Sequence, residues 1–234
     1  MPAILYVVPT PLGGSPADAL PPPTLQTIRL LDNFVVENEK SARAFLAAIG
    51  MPRPLRELRL NRLDEHTPPR DIDALLAPLR EGRSLGLLSE AGCPAIADPG
   101  AGLVAAAHDA GFRVAPLVGP SAILLALMAS GLEGQRFAFC GYLPREAPAR
   151  LRRIRELEQR SRTERETEIF IETPYRNDVL LSALLSACTA STRLCLATDL
   201  TLPDQSIALR SVGHWRRAPQ AIGRRPTVFL MLAG

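Results

Sequence analysis

Ile4-Leu5-Tyr6-Val7-Val8-Pro9-Thr10-Pro11-Leu12-Gly13-Gly14 opens the chain with a β-branched and aromatic run that is stopped by prolines and glycines. It reads as a buried strand running into a loop. The same grammar recurs twice. Ser84 to Leu88 reads as a strand entering Ser89-Glu90-Ala91-Gly92-Cys93-Pro94-Ala95-Ile96-Ala97-Asp98-Pro99-Gly100, and Arg113 to Leu117 as a strand entering Val118-Gly119-Pro120-Ser121-Ala122. Around them the pattern predicts helices at Thr24 to Leu31, Ser41 to Ile49, Asp71 to Arg80 and Gly102 to Ala110, and a strand at Phe34 to Val36. Strands alternating with helices through short connections imply an α/β fold with a mainly parallel sheet covered on both faces.

Beyond Val118 the pattern changes. Helices are expected at Ser121 to Ala129 and Ala147 to Ser161, and strands at Arg136 to Cys140, Glu168 to Glu172, Leu194 to Thr198 and Thr227 to Leu232. The first loop that follows a complete set of alternating units lies at 117–119, so two α/β lobes are expected, residues 1–118 and 119–234.

The chain has 234 residues and 47% hydrophobic content, enough for a sizeable core. Its net charge of +3 rests almost wholly on arginine, since Lys40 is the sole lysine. Codon bias accounts for that balance, which permits an anionic partner without requiring one. Cys93, Cys140, Cys188 and Cys195 form no CxxC pair, and the stretch from Met1 lacks the charged start and long apolar core of a signal peptide. A cytoplasmic chain with reduced thiols is the expectation. The apolar run 117–132 is interrupted by Gly119, Pro120, Ser121, Ser130 and Gly131, short of the roughly 20 apolar residues of a membrane span.

Ligands of open α/β sheets bind beyond the carboxyl ends of the strands, where small residues let backbone groups approach closely. The three Gly/Pro loops all follow strands and are candidates for one pocket. No GxGxxG or GxxxxGK[ST] phosphate loop occurs, and no GxSxG elbow. His66, His108 and His214 are scattered, which leaves no metal-ligand spacing.

In order and spacing, Leu5 to Gly13, Ser89 to Gly100, Gly119-Pro120-Ser121-Ala122, Gly141-Tyr142-Leu143-Pro144-Arg145 and Ile169 to Arg176 resemble the tetrapyrrole methylase superfamily. Within it the chain resembles the branch of ribosomal RNA small subunit methyltransferase I, which methylates a cytidine ribose 2′-hydroxyl. The resemblance implies a two-lobed α/β fold, an S-adenosylmethionine site in the cleft between the lobes, a homodimer, and ribosomal RNA or the small ribosomal subunit as partner. It departs from the branch in three places. Val36-Glu37-Asn38-Glu39-Lys40-Ser41-Ala42-Arg43 stands where that branch has Ala-Glu-Asp-Thr-Arg, Ser89-Glu90-Ala91-Gly92-Cys93-Pro94 replaces Ser-Asp-Ala-Gly-Thr-Pro, and Gly13-Gly14-Ser15 replaces Gly-Asn-Leu.

Methyl transfer from a sulfonium needs no metal and few catalytic side chains, because holding the reactants in line does most of the work. Pro9, Pro11, Leu12, Gly13, Ser89, Glu90, Ala91, Gly92, Pro94, Ser121 and Ala122 are the expected cofactor-binding residues. A hydroxyl acceptor calls for a base, for which Glu37, Glu39 and Glu90 are the candidates, although Glu37 and Glu39 serve equally well as solvated or helix-capping carboxylates. Arg43, Arg145, Tyr175 and Arg176 are the candidate substrate contacts, with simple salt-bridge or surface roles open for the arginines. The mixed-sign stretch Arg150 to Glu168 reads as a solvated helix face, and Trp215 as either packing or a base-stacking ring. Carbon methylation of a tetrapyrrole, or a non-catalytic module that binds cofactor or RNA, are the alternatives.

Overall fold

The computed structural model describes residues 2–218 and 220–234 and divides into two compact units, Met1–Ser121 and Ala122–Gly234.

The first unit holds β1 (Ile4–Val8), α1 (Pro16–Ala19), α2 (Pro22–Arg29), β2 (Asn33–Val36), α3 (Glu39–Ala48), β3 (Arg59–Arg62), α4 (Pro69–Ile72), α5 (Ala77–Arg80), β4 (Leu85–Leu88), α6 (Ala101–Asp109) and β5 (Arg113–Pro116). All five strands are parallel, in the order β3-β2-β4-β1-β5. Alternate side chains of the three central strands, β1, β2 and β4, serve opposite cores. Val8, Phe34, Val36 and Leu88 pack with Leu25 and Ile28 of α2 and Leu46 of α3, whereas Leu5, Val35, Leu85 and Leu87 pack with Leu76, Leu79 and Leu103. Both faces are therefore covered. That is why these three strands read as largely continuous apolar runs.

The helix expected over Asp71 to Arg80 is instead α4, a 3₁₀ turn at Asp73–Leu76, and α5. Pro78 at the second position of α5 has no amide to continue a helical ladder, so the segment breaks there. The edge strand β3, Arg-Leu-Asn-Arg, was not foreseen, because an exposed edge needs no apolar pattern.

The second unit holds α7 (Ala122–Ser130), β6 (Phe137–Tyr142), α8 (Ala147–Glu164), β7 (Thr167–Ile171), α9 (Asn177–Ala187), β8 (Arg193–Thr198), β9 (Ser206–Ser211), α10 (Val212–Arg217) and β10 (Thr227–Leu232). Its sheet runs β6-β7-β10-β8-β9, with β6 and β7 parallel and the remaining pairs antiparallel. Ile154 and Leu157 of α8, Leu180 and Leu184 of α9 and Trp215 of α10 share a core with Phe170, Leu194, Leu196 and Phe229.

One open reading is decided here, in favour of packing for Trp215, and one expectation needs correction. Trp215 is 1% exposed, its Nε1 donates to the Leu194 carbonyl at 3.0 Å, and the Arg210 guanidinium lies 4.7 Å from its ring, so it offers no base a face. The stretch Arg150 to Glu168 is not wholly solvated either, since Arg150, Glu158 and Glu168 are buried. Glu158 accepts from the Thr189 amide at 2.7 Å and from the Thr192 hydroxyl, and Glu168 is gripped by Arg160.

Candidate functional site

In the first unit β1 leads into α2 on one face of the sheet, while its neighbour β4 leads into α6 on the other. The two connections part at this point, the place where open α/β sheets accept ligands beyond the strand ends. All three Gly/Pro loops gather at it. Thr10 and Gly92 form an antiparallel bridge, with Thr10 N–H donating to the Gly92 carbonyl at 2.9 Å and Gly92 N–H to the Thr10 carbonyl at 3.1 Å. The Cys93 thiol donates to the Pro120 carbonyl at 3.4 Å, and Thr24 Oγ1 to the Val118 carbonyl at 2.8 Å.

Two glycines make this approach possible. Gly92 has φ +76°, and a Cβ there would lie 3.2 Å from Leu12 Cδ2. At Gly119 a Cβ would overlap the Pro9 ring, so only glycine lets the third loop lie on the first. Pro9 and Pro94 are buried, and Pro11, Leu12 and Gly13 half-buried. Ser121 closes the first unit and Ala122 begins α7 of the second. The amides of Leu12, Gly13 and Ala91 meet no acceptor among the described residues. These loops thus present unengaged backbone donors beside small and apolar side chains, a lining suited to a nucleoside and a carboxylate tail.

A group of carboxylates stands next to the loops. Glu37 follows β2 directly, and burial pushes its carboxyl above the usual carboxylate range, reinforced by repulsion from Asp98 and Glu90 and partly offset by the Glu90 amide donated to it. Burial likewise raises Asp98, with Glu90 adding to the shift and the Ser89 hydroxyl opposing it. Glu90 is exposed and accepts from Ser41 Oγ at 3.1 Å. Glu37 and Glu90 are therefore brought together. Glu39 is not: it lies in the first turn of α3, exposed, 3.5 Å from Arg43. Arg43 also donates to the Leu55 carbonyl at 3.0 Å. Asp98 is not among the sequence candidates, because nothing in the spacing of a twelve-residue loop reveals that its tenth position folds back onto Glu37.

In the second unit Arg176 is bound to Glu172, with Nε 3.0 Å from Oε1, and its side chain is three-quarters buried. Tyr175 is 75% exposed and Arg145 is exposed. Among the described residues no group of three His, Cys, Asp or Glu is arranged to hold a metal ion, and no helix is long and apolar enough to cross a membrane.

No family model matches the chain. It is 34% identical over 210 residues to the ribosomal RNA small subunit methyltransferase I of Escherichia coli O157:H7, covering 90% of this chain and 70% of that protein. With the protein of the same name from Xylella fastidiosa it shares 36% over 200 residues, 86% of this chain and 69% of that one. Among solved structures, the methyltransferase CobJ aligns at TM-score 0.66 and 20% identity, over 99% of this chain and 95% of that one. Diphthine synthase aligns at TM-score 0.63 and 14% identity, over 99% and 90%. At those identities the structures establish the fold, which is that of the tetrapyrrole methylases.

Proposed function

Because the chain belongs to the ribosomal RNA small subunit methyltransferase I family, we propose that it transfers a methyl group from S-adenosylmethionine to a ribose 2′-hydroxyl of small-subunit ribosomal RNA. The observation that carries this reading is the convergence of the loops at 9–14, 89–100 and 118–121 beyond the strand ends, tied by the Thr10–Gly92 bridge. The unengaged amides of Leu12, Gly13 and Ala91 suit the adenine edge and the methionine carboxylate, with Pro9, Pro11, Ser89, Pro94 and Ser121 shaping the walls.

When bound, the cofactor supplies an electrophilic methyl on a sulfonium. The chain's own residues then have to hold the acceptor in line, exclude water and take the hydroxyl proton. Glu37 is the favoured proton acceptor. Its raised affinity for protons brings it closer to the requirement of a base working near neutrality, and Glu90 and Asp98 sustain that shift. Glu39, exposed at the start of α3, supports that helix and pairs with Arg43.

The family relationship also favours a homodimer in the cytoplasm. α7 carries no charged residue, and its Met128 is 80% exposed and Leu124 51%, an apolar surface that a second copy would cover. Carbon methylation of a tetrapyrrole is less well supported, since the tetrapyrrole enzymes match at 15 to 20% identity against 34 and 36% for the ribosomal ones.

The test is to incubate the protein and methyl-labelled cofactor with small ribosomal subunits, and separately with small-molecule extract, from a strain lacking it. Label is expected in a ribose of the RNA. Label confined to the extract would overturn the RNA assignment. Tight cofactor binding with no transfer to any acceptor would mean a binding module.

A further inference from the structure

One end of the second unit's sheet gathers three segments. Tyr142 ends β6 opposite Ile171, the last residue of β7, and Val228 near the start of β10 pairs with that same Ile171. The segments 143–145, 172–176 and 222–226 therefore leave the sheet side by side. They carry Arg145, Tyr175, Arg176, Arg224 and Arg225.

These arginines differ sharply in what they touch. Arg176 is held by Glu172, whose side chain is 2% exposed. Arg225 is held by Asp199 at 2.5 Å and donates to the Asp204 carbonyl at 2.6 Å. Neither has much charge left for a ligand. Arg145 and Arg224, by contrast, have no carboxylate partner among the described residues. The Arg224 guanidinium lies instead over the Tyr175 ring, 4.9 Å from its centroid, and Tyr175 is 75% exposed.

The backbone beneath this pair is fixed. Asn177 Nδ2 donates to the carbonyls of Arg225 at 2.7 Å and Gly223 at 3.2 Å, and Asp178 accepts from the amide of Ile222 at 2.7 Å. Arg150, buried, donates to the Arg145 carbonyl at 2.7 Å. A large aromatic ring is thus held out to solvent on an anchored 3₁₀ turn, with a cation on one face and the rest of its surface exposed.

We propose that Tyr175 and Arg224 form a stacking platform for an unpaired base of an RNA strand, with Arg145 meeting the strand's phosphates and Arg176 acting as a positioning residue that holds the turn through Glu172. The inference rests on the RNA reading above and adds to it where and how the strand is gripped. An exposed tyrosine stacks on any base, and an arginine over its far face strengthens the stack while neutralising phosphate.

The experiment measures binding of short single-stranded oligocytidylate, and of a duplex of equal length, to the full chain over a range of salt. Tyr175→Ala is expected to weaken single-strand binding about 5- to 100-fold, and Tyr175→Phe to restore it, because the ring stacks without its hydroxyl. Arg224→Ala weakens binding and lowers the slope of log affinity against log salt by about 1. Melting temperature and cofactor affinity stay at the parent's values, which a merely structural role would not predict. If the parent binds RNA and Tyr175→Ala binds it equally well, the platform is wrong while the methyltransferase reading stands. If the parent binds no single-stranded RNA at low salt, the RNA reading and the platform fail together.

Discussion

Gly92 sits at φ +76° with both its backbone groups bonded to Thr10, so the residue holds two loops together and has no amide left for a ligand. Valine there would strain the backbone and crowd Leu12. Gly92→Val is expected to cost about 1 to 3 kcal/mol of stability, and, by loosening the Thr10 bridge, to weaken cofactor binding as well. Melting and calorimetry on one sample decide it, since near-parent affinity with a lowered melting temperature would detach the cofactor from this loop. Glu37 shows the opposite balance. A carboxyl whose folded-state pKa lies above its unfolded value of 4.5 favours folding while protonated, and the folded state loses stability as pH rises from that value through the raised one. Glu37→Gln removes the penalty. Its melting temperature is expected to match the parent's in acid and exceed it at neutral pH, while methyl transfer falls. An equal melting temperature at every pH would show that the carboxylate is comfortable where it is.

At the scale of elements, α8 and β7 are joined by a charge network rather than by apolar contact alone. Arg160 Nε donates to Glu168 Oε1 at 2.7 Å, and the Cys140 thiol, its pKa pushed up to about 11 chiefly by burial, donates to Oε2 at 3.1 Å. Glu168 is fully buried, so removing its cation leaves a charge without compensation. Arg160→Ala is expected to cost about 3 to 5 kcal/mol, and adding Glu168→Gln to recover part of it. Denaturant titration of both variants measures the difference. A loss under about 1 kcal/mol would place the pair among ordinary surface bridges.

For the whole molecule, the apolar outer side of α7 carries the expectation of self-association. Met128→Glu should shift the protein from dimer to monomer in analytical ultracentrifugation while leaving the core under Ala126 and Leu127 intact. A monomeric parent, or a dimer indifferent to the charge, would remove α7 from the interface.

Residue pattern alone carried the alternation of strands and helices in the first unit, the position of its three loops after strands, and the family. Strands buried on both faces must be continuously apolar, and loops that approach a ligand closely must be small, so both leave a mark on the residue string. The helix over 71–80 was misread because Pro78 ends a ladder that apolar spacing alone would continue. The exposed strand β3 left no pattern to find. It took the folded chain to reveal that burial, with Asp98 beside it, raises Glu37, and that Gly92 pairs with Thr10. The fold alone also separated the arginines already neutralised, Arg176 and Arg225, from Arg224, which is not. Each of these depends on groups far apart in the chain meeting at the end of a sheet. Local spacing carries no record of which loops a strand order brings together.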